Sequence, residues 1–190
     1  IGNHDVERFI TVASGDSTSD LWKNPPPQPE NPDAYKRQLL ALTVMLTQPG
    51  APIIYYGDEF GMPGAGDPDN RRPMRFGEEL NAQESELLEK VRILGKTCSC
   101  NRSLRRGERI GITAEKDVLV YGRRYGDENP ALIVLNRSVK AKRISFALPE
   151  KLEYSDNVEY FDIWNNPLEM DGETFTMTLS PLSGAVLVSA

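Results

Sequence analysis

The hydrophobic period of the chain changes at Gly107, and this change limits what the sequence can build. Beyond it, residues 174–179 alternate polar and apolar strictly, and Ile144, Phe146 and Leu148 do the same nearby. Residues 109–113, 118–125, 132–136, 158–163 and 186–188 are further strand-sized runs, several separated by breakers such as Gly126-Asp127, Asn165-Asn166-Pro167 and Asp171-Gly172. Roughly seven short strands with such turns predict an antiparallel sandwich. Before Gly107 the apolar residues follow a longer period. The sequence therefore divides into residues 1–107 and residues 108–190 as two domains of different class, α/β and then all-β.

In the first part, Asn31 and Pro32 offer a helix cap and a first-turn proline, and Pro49-Gly50 a stop, so a helix is predicted over 32–48. Tyr35, Leu39, Leu42 and Leu46 form its stripe, widened by Leu40, Val44 and Met45. Such a helix has to be covered on most sides. Residues 51–56, after a short turn, are a continuous apolar run of strand length, the pattern of a parallel strand buried on both faces, with Tyr55 and Tyr56 as core. With a short strand at the start of the chain, this makes strand, helix, strand over residues 1–57. Long loops are expected over 11–32, which holds Trp22, and over 57–80. Asn81 and Glu84 then form a capping box for a helix carrying Leu87, Leu88, Val91 and Leu94.

Charge and cysteine usage narrow the partners. With 22 Lys and Arg against 28 Asp and Glu, the net charge is -6, which argues against a nucleic-acid backbone as ligand. The longest apolar run, residues 39–46, is interrupted by Thr43 and too short to span a bilayer, and no signal peptide precedes it, so no membrane partner is expected and the chain reads as soluble. Cys98 and Cys100 are too close in sequence to bridge each other and have no histidine near them for zinc; no metal site is expected. Asn136, Arg137 and Ser138 form a glycosylation sequon that reads more simply as a polar turn. There is no initiator Met and the first residues read as a strand, so the chain is expected to continue a longer protein whose missing part lies upstream.

The only histidine, His4, stands between Asn3 and Asp5, with Arg8 close behind. Taken alone, a His beside an Asp reads most simply as a hydrogen-bonded pair. In a barrel of alternating strands and helices, however, polar groups at the carboxyl end of a strand face the catalytic cleft. Further on, Pro52 to Glu59 (PIIYYGDE) is followed by Asp67, Pro68, Asp69, Asn70 and Arg71, and then by the sandwich. In that order and spacing, these features resemble the C-terminal part of the α-amylase family of glycoside hydrolases (family 13). The resemblance covers most of the chain.

That resemblance implies that residues 1–107 are the last two strand and helix units of a (β/α)₈ TIM barrel, and that a C-terminal β-sandwich follows. It implies that Asp5 is the third carboxylate of the site, gripping the O2 and O3 hydroxyls of the reacting sugar as a transition-state stabiliser. His4 would be its neighbour on the same hydroxyls. Asn3, Asp67 and Arg71 would bind substrate, the last two holding the next sugar out. Arg8 would pair with a carboxylate on a neighbouring strand, and Asp58 and Glu59 would be strand-end charges satisfied by arginines or backbone. The nucleophile and acid/base carboxylates would belong to the missing units, leaving this chain alone inactive. The implied ligand is a starch-like α-glucan, cleaved as by α-amylases, neopullulanases or cyclomaltodextrinases. Transglycosylases share these last strands, and a non-catalytic barrel relative serving as a binding or scaffold module is the reading from another class. No cofactor is expected from this segment, although calcium is compatible with the longer protein. Secretion or a periplasmic location is favoured over the cytoplasm, and self-association through an open barrel edge is expected.

Overall fold

The computed structural model describes residues 1–18, 20, 22–153 and 158–189. Ser19 and Leu21, which fall within the expected loop over 11–32, lie outside the described residues, as does Ala190 at the end of the expected sandwich. The chain forms two compact units, one made of Ile1–Met45 with Pro52–Arg92 and the other of Leu46–Ala51 with Ile93–Ala190. This division differs from the boundary expected at Gly107. Periodicity does turn over there, since the first strand begins at Glu108, but compactness follows packing, and the segments before Gly107 from Ile93 onward go with the strands.

In the first unit, α1 (Phe9–Ser14) and α2 (Pro32–Thr47) are joined by the first part of a third helix, α3 (Ala82–Cys100). The start of α2 is fixed by Asn31, whose side-chain oxygen accepts from the Asp33 N–H at 2.9 Å. The α3 start is the expected capping box: Glu84 N–H donates to Asn81 Oδ1 at 2.9 Å while Asn81 N–H donates to Glu84 Oε2 at 2.8 Å. Ile10, Ala34, Tyr35, Leu42, Leu87 and Val91 make the core of this unit. Helix α1 occupies the beginning of what the sequence suggested was loop. It is too short for a visible period, and Gly15 ends it in the left-handed region, at φ 85, returning its N–H to the Thr11 and Val12 carbonyls.

Neither predicted strand of this unit forms. Residues 1–3 and 51–55 carry no strand pairing, and the apolar run is exposed, with Ile53 at 78% and Ile54 at 40%. Tyr55 is half-buried and Tyr56 exposed, so neither is core. The physical reason is that a parallel strand exists only within a ladder, and these segments find no ladder partner among the described residues.

In the second unit α3 ends and a short helix, α4 (Arg102–Arg106), follows, capped by Asn101. Among the described residues there are then eight strands: β1 (Glu108–Ala114), β2 (Val118–Arg124), β3 (Ala131–Asn136), β4 (Lys142–Ala147), β5 (Tyr160–Asp162), β6 (Leu168–Asp171), β7 (Thr174–Leu179) and β8 (Ser183–Ser189). They form the antiparallel sheets β1-β2-β3-β8-β5 and β4-β7-β6. Strand β6 was not anticipated. Val120, Val134, Leu132 and Leu187 of the larger sheet share one core with Ile144, Phe146, Phe175 and Met177 of the smaller, and Tyr160 sets its ring edge-on to Phe175 at 5.4 Å. Strand β3 is buried on both faces, because the other side of its sheet is covered as well. There α4 packs on β2, the Tyr121 hydroxyl meets the Thr47 hydroxyl at 2.6 Å, and Arg123 donates to the Thr47 and Gly107 carbonyls.

Asn136 lies at the end of β3 with its amide on the Lys140 and Ser180 carbonyls, buried away from any sugar transfer. Cys98 and Cys100 are free, and burial pushes the Cys98 thiol up to about 11, far from a reactive thiolate. Among the described residues no helix is long and apolar enough to cross a membrane.

Candidate functional site

The site grows from one buried side chain in the first unit. Arg8 is fully buried, and a guanidinium cannot shed its charge, so every N–H it carries needs an acceptor. It donates to Asp58 Oδ1 at 3.0 Å, to the Tyr56 carbonyl at 2.6 Å and to the Asn70 carbonyl at 3.0 Å. The rings of Tyr55 and Tyr56 lie 4.1 and 4.8 Å from its central carbon. The expected pairing of Arg8 with a carboxylate is therefore with Asp58. Burial pushes the Asp58 carboxyl above the usual range, against the pull of Arg8.

These bonds join the turn at residues 4–6 to the loop over 57–72, whose first part is packed rather than loose: Phe60, Met62 and Ala65 are each 1% exposed. Gly64 permits the approach. Its carbonyl accepts from the Arg8 N–H at 2.9 Å, and a Cβ there would stand 2.7 Å from the Asn70 Cα. Asn70, itself buried, closes the junction by donating its amide to the Val6 carbonyl at 2.8 Å and to the Asn3 carbonyl at 3.4 Å. No local sequence signal marks Asn70, since its partners lie more than sixty positions away.

On this frame the predicted residues come together at the surface. His4 Nε2 lies 3.4 Å from Asp5 Oδ1, with the two side chains 64% and 70% exposed. Asn3, also exposed, has its side-chain oxygen accepting from the Asp5 N–H at 2.7 Å and so holds the turn. Arg71 pairs with Asp67 at 3.0 Å and donates to the His4 carbonyl at 3.4 Å. Beside them Arg72 grips Asp69 with both Nε and Nη2, at 2.9 and 2.6 Å. Against burial, which raises it, the Arg72 and Ala65 hydrogen bonds hold the Asp69 carboxyl below its usual range.

Chemically, this is a patch of exposed carboxylates, an imidazole and a guanidinium fork. It can exchange hydrogen bonds with a polyhydroxylated ligand through charged donors and acceptors. Among the described residues no three His, Cys, Asp or Glu side chains gather where they could hold a metal ion.

No protein-family profile matches the chain. It is 32% identical over 183 residues to a cyclomaltodextrinase of Geobacillus thermopakistaniensis, covering 95% of this chain and 27% of that protein. An amylopullulanase of Thermoanaerobacter thermohydrosulfuricus is 30% identical over 206 residues, covering 100% of this chain and 13% of that protein. Among solved structures, an α-amylase from Geobacillus thermoleovorans complexed with acarbose superposes with a TM-score of 0.77 at 26% identity, covering 100% of this chain and 38% of that one. The chain thus spans well under half the length of each of these proteins.

Proposed function

Because this chain belongs to the α-amylase family of glycoside hydrolases (family 13), corresponding to its C-terminal portion, we propose that it forms part of a retaining enzyme that cleaves α-glucosidic bonds in starch-like glucans. The observation that carries this reading is the linkage of Asp5, His4, Asp67 and Arg71 into one exposed polar patch. Retaining cleavage needs a nucleophile and an acid/base carboxylate about 5 Å apart, acting through an oxocarbenium-like transition state. Asp5 is neither of these in the proposal. As positive charge develops at the anomeric carbon, the neighbouring sugar hydroxyls become stronger donors, so an anionic acceptor gripping them binds the transition state better than the ground state. His4 orients the same hydroxyls, and Asn3 acts by holding the turn that presents Asp5. Asp67 and Arg71 hold a sugar that stays neutral throughout, which makes their contribution one of binding.

Two results are expected. The 190-residue chain by itself releases no reducing sugar from soluble starch, cyclodextrins or pullulan, because the reacting carboxylates of the double displacement belong to the rest of the barrel; turnover comparable with a complete enzyme would overturn this assignment. In an enzyme carrying this segment with the whole barrel, Asp5→Asn lowers kcat by about 10²–10³-fold, the scale of removing one transition-state partner. Arg71→Ala there mainly raises KM for longer oligosaccharides. If steady-state kinetics gave both variants the same pattern, the division of roles would be wrong.

A further inference from the structure

Trp22 is 82% exposed. A single exposed apolar side chain is ordinary, but this indole also walls a cleft of about 230 Å³ together with Pro68, Asp69, Arg71 and Arg72. That is less than the roughly 300–1,000 Å³ of sites for drug-sized ligands, and suits one ring. The cleft is held in shape. Arg72, fixed by Asp69, also donates to the Pro26 carbonyl at 2.9 Å, tying the segment after Trp22 to the loop that carries Asp67 and Arg71. On either side of Trp22 in sequence, Asn24 N–H donates to the Asp20 carbonyl at 3.0 Å and Lys23 N–H to Asp20 Oδ1 at 3.1 Å. The aromatic face is therefore left uncovered, while the segment that follows it is anchored through Pro26.

Both arginines of the cleft are already paired, Arg72 with Asp69 inside it and Arg71 with the adjoining Asp67. A phosphate or carboxylate ligand would have to displace these carboxylates. A neutral ring with an apolar face and hydroxyl edges would not: its C–H face can lie on the indole while its hydroxyls meet the Arg71 and Asp69 edges. We infer that Trp22 is the stacking platform of an additional sugar subsite, which takes a glucosyl unit of the α-glucan next to the one held by Asp67 and Arg71. The inference rests on the reading above that this patch binds α-glucans.

The test uses the whole chain, ¹⁵N-labelled, titrated with maltoheptaose. The chain has two tryptophans, so a Trp164→Phe variant assigns the Trp22 indole N–H signal. This signal should shift saturably with maltoheptaose and stay unmoved by inorganic phosphate. Trp22→Ala should weaken binding about tenfold, the scale of a lost aromatic contact, and Trp22→Phe should restore it to within about threefold. Substitution at so exposed a position leaves the fold in place, which unchanged amide signals of Ile10, Leu42 and Leu87 in the core of the same unit will show. If the Arg71 Nε signal responds to maltoheptaose and the Trp22 indole does not, the stacking subsite falls while the glucan reading stands. If neither responds, both fall, and an equal response of Trp22 to phosphate replaces the sugar subsite with an anion site.

Discussion

Arg8→Met destabilises the Ile1–Met45 with Pro52–Arg92 unit by about 3–5 kcal/mol, the cost of breaking a buried ion pair from one side. Both partners are out of water, with side chains 0% and 1% exposed. Methionine fills much of the same volume, so the loss is chiefly electrostatic: Asp58 is left as a buried carboxylate with neither oxygen satisfied, since its Oδ2 already has no hydrogen-bond partner among the described residues. The carbonyls of Tyr56 and Asn70 lose their donor at the same time. Amide exchange read at Gly64 and Asn70, alongside urea unfolding, measures the effect. The double variant Arg8→Met with Asp58→Leu should recover a large part of it, because removing both charges also removes the desolvation cost. Equal losses in single and double variants would show that the pair is not the cause. The same variant loosens the turn that presents His4 and Asp5, so glucan binding should fall with it although Arg8 reaches no ligand.

This dependence explains what the sequence could and could not disclose. His4, Asp5, Asp67 and Arg71 are recognisable as residue types in a local order, and the folded chain brings them to one patch. Arg8, Asp58 and Asn70 hold the patch together through contacts between segments roughly fifty to sixty positions apart, which no local pattern encodes. The same contrast runs through the fold. Strand β7 announces itself because alternation is a property of neighbouring residues, and its apolar side chains Phe175, Met177 and Leu179 are the ones buried. Strand β6 does not, because as an edge strand it exposes most of its residues and shows no alternation. For residues 51–56 the error runs the other way. Their composition suits a strand buried on both faces, but pairing depends on neighbouring strands, and a composition that favours the conformation cannot supply the ladder.

In the sandwich, Asp162 carries the second large effect. Its side chain is buried at the end of β5 and accepts from the N–H groups of Trp164 at 3.1 Å, Asn166 at 3.0 Å and Val186 at 2.8 Å, and from the Asn166 amide at 2.7 Å. One carboxylate thereby shapes the turn in which Asn165 takes a left-handed φ of 60, and fixes that turn to β8. Asp162→Ala leaves several of these donors without an acceptor at about 1–3 kcal/mol each where they are buried, so a loss of about 3 kcal/mol or more is expected in urea unfolding. Burial pushes the Asp162 carboxyl above the usual range, outweighing the N–H groups that pull it down. A raised folded pKa means that the native state holds the proton more tightly than the unfolded chain. The associated stability is fully present below the unfolded value of about 3.9 and is lost as pH rises through the folded one. Comparing the chain with Asp162→Asn isolates this group from Asp58, which shifts upward, and Asp69, which shifts downward. The stability advantage of the unsubstituted chain over Asp162→Asn should narrow as pH is raised from about 4 toward neutrality. An advantage that widened over that interval would mean that the ring of N–H donors, and not burial, governs the carboxyl, and the ionised form would then be the one that the turn was built to hold.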